Sequence, residues 1–170
     1  MIELMTIAAD HPLIVKRVRW ADEAATQMTA QSLAAQPALQ SALVTLHGDL
    51  GAGKTTFARY VLTALGVTGR IRSPTYAVVE SYAVESAHAP TRHIWHCDFY
   101  RFNDPDEWED AGFRDIFASA GLKLVEWPDK AGAYLPAADL AVAIEPLAGE
   151  QRVVTLTAFT ATGAALLEAL

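Results

Sequence analysis

Cysteine is nearly absent from this chain and positive charge is in deficit. One cysteine, Cys97, stands in 170 residues, which excludes an internal disulfide framework and fits a reducing compartment. Lys and Arg number 13 against 20 Asp and Glu, for a formal charge of −7. General electrostatic attraction to nucleic acid needs clustered cations, so this balance excludes it; any contact with RNA must be local or made through a partner. No run approaches the roughly 20 apolar residues of a membrane-spanning helix. The opening stretch, Met1 to Lys16, contains Glu3, Asp10 and Pro12 and lacks both a basic start and a long apolar run. It does not read as a signal peptide. Internal repeats, low-complexity tracts and interdomain linkers are also missing. What is present is ample core material, 52% hydrophobic, in a length suited to one domain over residues 1–170. The expectation is a cytoplasmic, membrane-free protein.

The hydrophobic pattern alternates between strand and helix. Leu13 to Val18 reads as an edge strand, and Asp22 as the N-cap of an Ala-rich helix running to about Ala35, followed by Pro37. Ala42 to Leu46 is a continuous apolar run suited to a buried strand. Lys54 to Leu65 is helical and closed by Gly66. Tyr76 to Val84 is rich in strand formers, Glu85 to Arg92 reads as a surface loop, and His93 to Asp98 as a second buried strand. Asp104-Pro105-Asp106-Glu107 marks a helix start. Leu122 to Glu126 is a further strand. Leu140 to Ile144 and Val153 to Ala158 flank Leu147-Ala148-Gly149-Glu150 and should form an antiparallel hairpin, with Thr160 to Leu170 as a closing helix. Together these predict a three-layer α/β domain. Its sheet should be mixed, mainly parallel, of about seven strands, with an antiparallel C-terminal hairpin.

Gly48-Asp49-Leu50-Gly51-Ala52-Gly53-Lys54-Thr55 fits the phosphate-loop pattern G-x-x-x-x-G-K-[ST], with Thr56 next. Glycines let the backbone fold back so that successive amides point into one concavity. The helix that follows offers its positive end to phosphates. Lys54 supplies a compact charge near the β- and γ-phosphates, and the Thr55 hydroxyl a ligand for Mg²⁺. A predicted strand before the loop and a helix after it are the required context, so the three-layer domain is expected to have the P-loop NTPase fold.

Three further blocks carry candidate chemistry. Ser73-Pro74-Thr75 is a turn whose threonine could reach a magnesium ion and γ-phosphate, or simply start a strand. His96-Cys97-Asp98-Phe99-Tyr100-Arg101 ends an apolar strand. Asp98 stands where the acid of a Mg²⁺-nucleotide site belongs, Arg101 is a candidate partner for developing phosphoryl charge, His96 reads as a hydrogen-bonded structural residue and Cys97 as core. Val125-Glu126-Trp127-Pro128 places a second acid, Glu126, at a strand end, beside a tryptophan that either packs or stacks on a base. The chain lacks an Asn-Lys-x-Asp guanine signature, which favours adenine. His47, His88, His93 and His96 with Cys97 do not make a zinc spacing.

In order along the chain, GDLGAGKTT (48–56), SPTY (73–76), HCDFYR (96–101) and EWPD (126–129) resemble the bacterial tRNA threonylcarbamoyladenosine biosynthesis ATPase family, TsaE. The resemblance covers roughly Arg19 to Pro146. It implies a Mg²⁺-dependent ATPase acting with the TsaB–TsaD heterodimer, in the system that installs threonylcarbamoyl on adenosine 37 of tRNAs reading codons that begin with A. Contact with tRNA would be indirect, and ATP hydrolysis would reset or regulate the complex. The resemblance makes Thr55 a magnesium ligand, Thr75 a switch threonine, Asp98 the strand-end acid, Glu126 the metal-associated glutamate and Trp127 the tryptophan beside it. It also places Asp22-Glu23 near the adenine. A longer N-terminal segment and an expanded 85–92 loop depart from the family pattern. The alternatives are a nucleotide-gated scaffold with little hydrolysis, a P-loop small-molecule kinase, and a GTPase.

Overall fold

A computed structural model describes residues 11–170. In chain order the elements are β1 (Ile14–Trp20), α1 (Glu23–Ala34), a short 3₁₀ helix (Pro37–Ser41), β2 (Leu43–His47), α2 (Lys54–Ala64), β3 (Val79–Ser86), β4 (Ala89–Asp98), α3 (Asp106–Asp110), α4 (Phe113–Ala118), β5 (Leu122–Glu126), a 3₁₀ stretch (Pro128–Tyr134), β6 (Leu140–Pro146), β7 (Arg152–Ala158) and α5 (Ala161–Leu167). Residues 1–10, on which most of the reading of the opening segment falls, lie outside the described residues.

The strands form one seven-stranded sheet in the order β1-β7-β6-β2-β5-β4-β3. Neighbours β6, β2, β5 and β4 are parallel, whereas β7 is antiparallel to both β6 and β1, and β3 is antiparallel to β4. Five strands therefore share one direction and two oppose it, a mixed sheet with a parallel centre, a β6–β7 hairpin and β1 at an edge.

Continuous apolar runs put β2 and β5 in the middle, where both faces are covered. The two-residue period then divides their side chains. Val44, Leu46 and Leu124 join the cluster under α1, α2 and α5, with Leu33, Phe57, Leu62 and Leu166. Leu43 and Val125 join the opposite cluster with Phe99, Phe102, Trp108 and Phe113. On that second face α3 and α4 are short, and stacked rings supply the packing; Phe99 and Phe102 lie 5.2 Å apart. Asp22 caps α1, its carboxylate accepting from the Ala25 amide at 2.9 Å.

Two expectations are corrected. Glu85 to Arg92 is no loop: β3 continues to Ser86, turns through residues 87–88, and β4 begins at Ala89. Pro90 is tolerated in β4 because pairing with β5 starts only at Ile94 and a bulge already breaks the β3–β4 register between Val84 and Ser86. The run from Tyr76 does not begin as strand either. Residues 74–77 form a turn, Val78 takes a positive φ of 69°, and pairing starts at Val79. Among the described residues no helix is long and apolar enough to cross a membrane.

Candidate nucleotide and metal site

The parallel centre of the sheet delivers the C-terminal ends of β2, β4 and β5 to one edge, where ligands of open α/β sheets bind. From β2 the chain turns through residues 48–53 into α2. Gly48 has φ 144°, and a Cβ there would stand 2.6 Å from the Ile144 carbonyl oxygen and 2.9 Å from Ala52 Cβ, so only hydrogen fits. Gly53 is the left-handed N-cap of α2, and the first amides of the helix have no partner within it. Leu50 is exposed at the loop tip, and Asp49 offers a carbonyl rather than its exposed carboxylate.

Lys54 is buried beneath the loop. Its Nζ donates to the carbonyl oxygens of Gly48 and Asp49, the latter at 2.9 Å, and lies 4.3 Å from the centre of the Trp127 ring. Burial lowers the pKa of this ammonium, against the opposing pull of Glu126, Asp98 and Asp49.

Asp98 and Glu126 are register partners at the ends of β4 and β5, and both are buried. Glu126 accepts from the Thr55 hydroxyl at 2.7 Å through Oε1, and its Oε2 lies 2.7 Å from Nε2 of His96. Asp98 accepts from the Thr75 hydroxyl at 3.1 Å and from the Tyr100 amide at 2.9 Å. Burial raises the Asp98 carboxyl above its ordinary value, with the Tyr100 amide opposing. Two carboxylates and a hydroxyl form a hard-oxygen donor set that suits Mg²⁺, which takes one or two carboxylates and completes its shell with phosphate and water. Among the described residues no group of three or more His, Cys, Asp or Glu forms an all-protein cage.

Thr75, Asp98, Tyr100, Glu126 and Trp127 line one cavity together with Leu50, Gly51, Gly53, Lys54, Thr55 and Thr56. Ala52, Gly53 and Thr56 also line a second cavity, with Trp20, Glu23, Thr26, Glu150 and Arg152. The loop thus sits between two hollows, and Glu23 belongs to the second. The residues expected at the site line one or both cavities, except Asp22, which caps α1, Arg101, and Gly48 and Asp49, which meet Lys54 through their carbonyls.

Three contributors go beyond the residues expected at the site. Tyr100 packs on Trp127 with ring centres 5.0 Å apart. His96, structural in its sequence context, holds a site carboxylate. Arg152 donates from Nε to the Ala52 carbonyl at 3.0 Å, across 100 positions of sequence, which no local pattern signals. Arg101 lies over the Tyr76 ring at 4.0 Å rather than in the acid cluster. Trp127 has φ 54°, an uncommon conformation for a tryptophan, directly after the glutamate.

A family model described as threonylcarbamoyl adenosine biosynthesis protein TsaE matches residues 20–154. Over 103 residues the chain is 44% identical to the tRNA threonylcarbamoyladenosine biosynthesis protein TsaE of Haemophilus influenzae, covering 61% of this chain and 62% of that protein, less than two thirds of its length. The protein of the same name from Bacillus subtilis is 37% identical over 116 residues, covering 68% of this chain and 69% of its own. The crystal structure of Bacillus subtilis YdiB superposes with a TM-score of 0.69 at 29% identity, over 91% of this chain and 94% of that one. Matched from Trp20 at the end of β1 to Val154 within β7, well over half its length, this chain belongs to the TsaE family of threonylcarbamoyl adenosine biosynthesis proteins.

Proposed function

We propose that this chain is a Mg²⁺-dependent ATPase of tRNA threonylcarbamoyladenosine biosynthesis, acting in the cytoplasm with the TsaB–TsaD complex and meeting tRNA only through it. The observation that carries the reading is the Thr55–Glu126 hydrogen bond, with Asp98 in register beside it and a phosphate loop above. The chemistry is attack of water on the γ-phosphorus in line with the β–γ bridging oxygen, whose bond to phosphorus breaks to release ADP. Amides of the loop and Lys54 receive the triphosphate, with Lys54 leaving the Gly48 and Asp49 carbonyls for phosphate oxygens. Thr55, Glu126 and Asp98 would hold magnesium, which would neutralise phosphate charge. Asp98 also orients the attacking water and takes its proton. Thr75, bonded to Asp98, would answer the γ-phosphate. The nucleoside end lies toward Glu23 and Arg152, and Trp127 flanks Lys54.

The test is ATP turnover by the TsaB–TsaD–chain mixture. Lys54→Ala and Glu126→Ala should each lower it at least 100-fold; wild-type rates in either would sink the ATPase assignment. Tight ATP binding with no turnover beside the partners would instead favour a nucleotide-gated scaffold. A phosphorylated small molecule would favour a kinase.

A further inference from the structure

Glu126 is held at both carboxylate oxygens, and its two partners differ in kind. Oε1 takes the hydroxyl of Thr55, a group with a competing use as a cation ligand. Oε2 faces Nε2 of His96 at 2.7 Å, from the neighbouring strand β4. His96 is 0% exposed, and among the described residues its other ring nitrogen, Nδ1, meets no hydrogen-bond partner. A hydrogen on Nδ1 would therefore be a buried donor with no acceptor, while the carboxylate at Nε2 requires a donor. Both conditions favour the tautomer with its hydrogen on Nε2.

We propose that His96 is a positioning residue for Glu126. Its Nε2–H pins Oε2, so that Oε1 stays aimed at the Thr55 hydroxyl and at a divalent cation held there. This rests on the nucleotide reading above. The grip is rigid because His96 and Glu126 sit on paired strands of the buried sheet centre. Asp98 is held differently. One oxygen takes the Tyr100 amide, but the other takes Thr75, at the turn that precedes strained Val78. The two acids thus divide the work: Glu126 is fixed to the sheet, and Asp98 follows the switch segment. A histidine two positions before the strand-end acid is what makes the division, since the sheet alternation puts positions 96 and 98 on the same face of β4.

The experiment compares wild type with His96→Phe, His96→Gln and Glu126→Gln as full chains. ADP affinity is measured by calorimetry in EDTA and in Mg²⁺, and the tautomer of His96 by ¹⁵N NMR on the wild-type protein. In EDTA the two His96 variants should bind ADP within about twofold of wild type. The gain on adding Mg²⁺ should fall about 10-fold in His96→Phe and Glu126→Gln, the usual scale for losing a group that orients a metal ligand. His96→Gln, which keeps an N–H near the Nε2 position, should recover most of it. The NMR spectrum should show Nε2 protonated and Nδ1 bare. A His96→Phe chain that keeps the wild-type magnesium gain overturns the proposal, and so does a hydrogen found on Nδ1. If wild type binds no ADP in either buffer, the nucleotide reading falls and takes this role with it.

Discussion

The hydroxyl of Thr55 donates to Oε1 of Glu126 at 2.7 Å, joining the first turn of α2 to the last residue of β5 across 71 positions of sequence. On the function proposed above, this hydroxyl and this carboxylate are the two groups that would turn together toward a divalent cation.

Thr55→Ala leaves Glu126 with His96 alone. ADP affinity in EDTA should change little, whereas its enhancement by Mg²⁺ should fall about 10-fold. Thr55→Ser should retain it. Calorimetric titration of ADP with and without Mg²⁺ decides the matter, and an enhancement unchanged in Thr55→Ala would remove this hydroxyl from the metal site.

The folded chain holds the proton of Asp98 more tightly than the unfolded chain does, because burial raises its pKa. Ionising Asp98 therefore opposes folding. Its contribution to stability is complete below the ordinary carboxylate range and is lost as pH rises through the raised folded value. Asp98→Asn should accordingly melt at higher temperature than wild type at pH 7.5, with the difference shrinking toward pH 4, while ATP turnover with the partners is lost. Thermal melts at the two pH values test the sign.

Gly48 and Gly51 both have positive φ, but their surroundings differ. Gly48→Ala drives a methyl into the Ile144 carbonyl, whereas a methyl added at Gly51 would meet nothing within 4 Å. Strain plus collision should cost Gly48→Ala about 3 kcal/mol. Strain alone should cost Gly51→Ala about 1 kcal/mol. Urea unfolding of the two variants would show equal losses only if backbone conformation, and not the approach of Ile144, governs Gly48.

Glu23 lines the cavity on the far side of the loop from the acids and accepts a hydrogen bond from the Tyr60 hydroxyl. If the nucleoside end occupies that cavity, Glu23→Ala should weaken ATP by about 10-fold, roughly 1.4 kcal/mol. Inorganic tripolyphosphate, which has no nucleoside, should bind as before. Competition between the two ligands distinguishes a base-end role from a general effect on the loop.

Local chemistry along the chain determined a good deal of this protein. Gly48 to Thr55 states its phosphate loop, since the glycine spacing is required by backbone geometry alone. The continuous apolar runs of β2 and β5 announce burial on both faces, and Asp22 announces the start of α1. Asp98 and Glu126 are legible as acids because each closes an apolar run. Residues 85–92 are not legible as strand: no glycine or asparagine marks the turn at 87–88, and Pro90 argues against pairing until the short reach of β5 is known. Tertiary structure alone decided the rest. The order β6-β2-β5-β4 brings Asp98 beside Glu126, and the same register delivers His96 to one side of that glutamate while α2 delivers Thr55 to the other. Arg152 reaches the loop only because β7 folds back antiparallel on β6. Such contacts depend on which strands pair and in what register. That choice is settled by burying the whole sheet at once, and no window of neighbouring residues contains it.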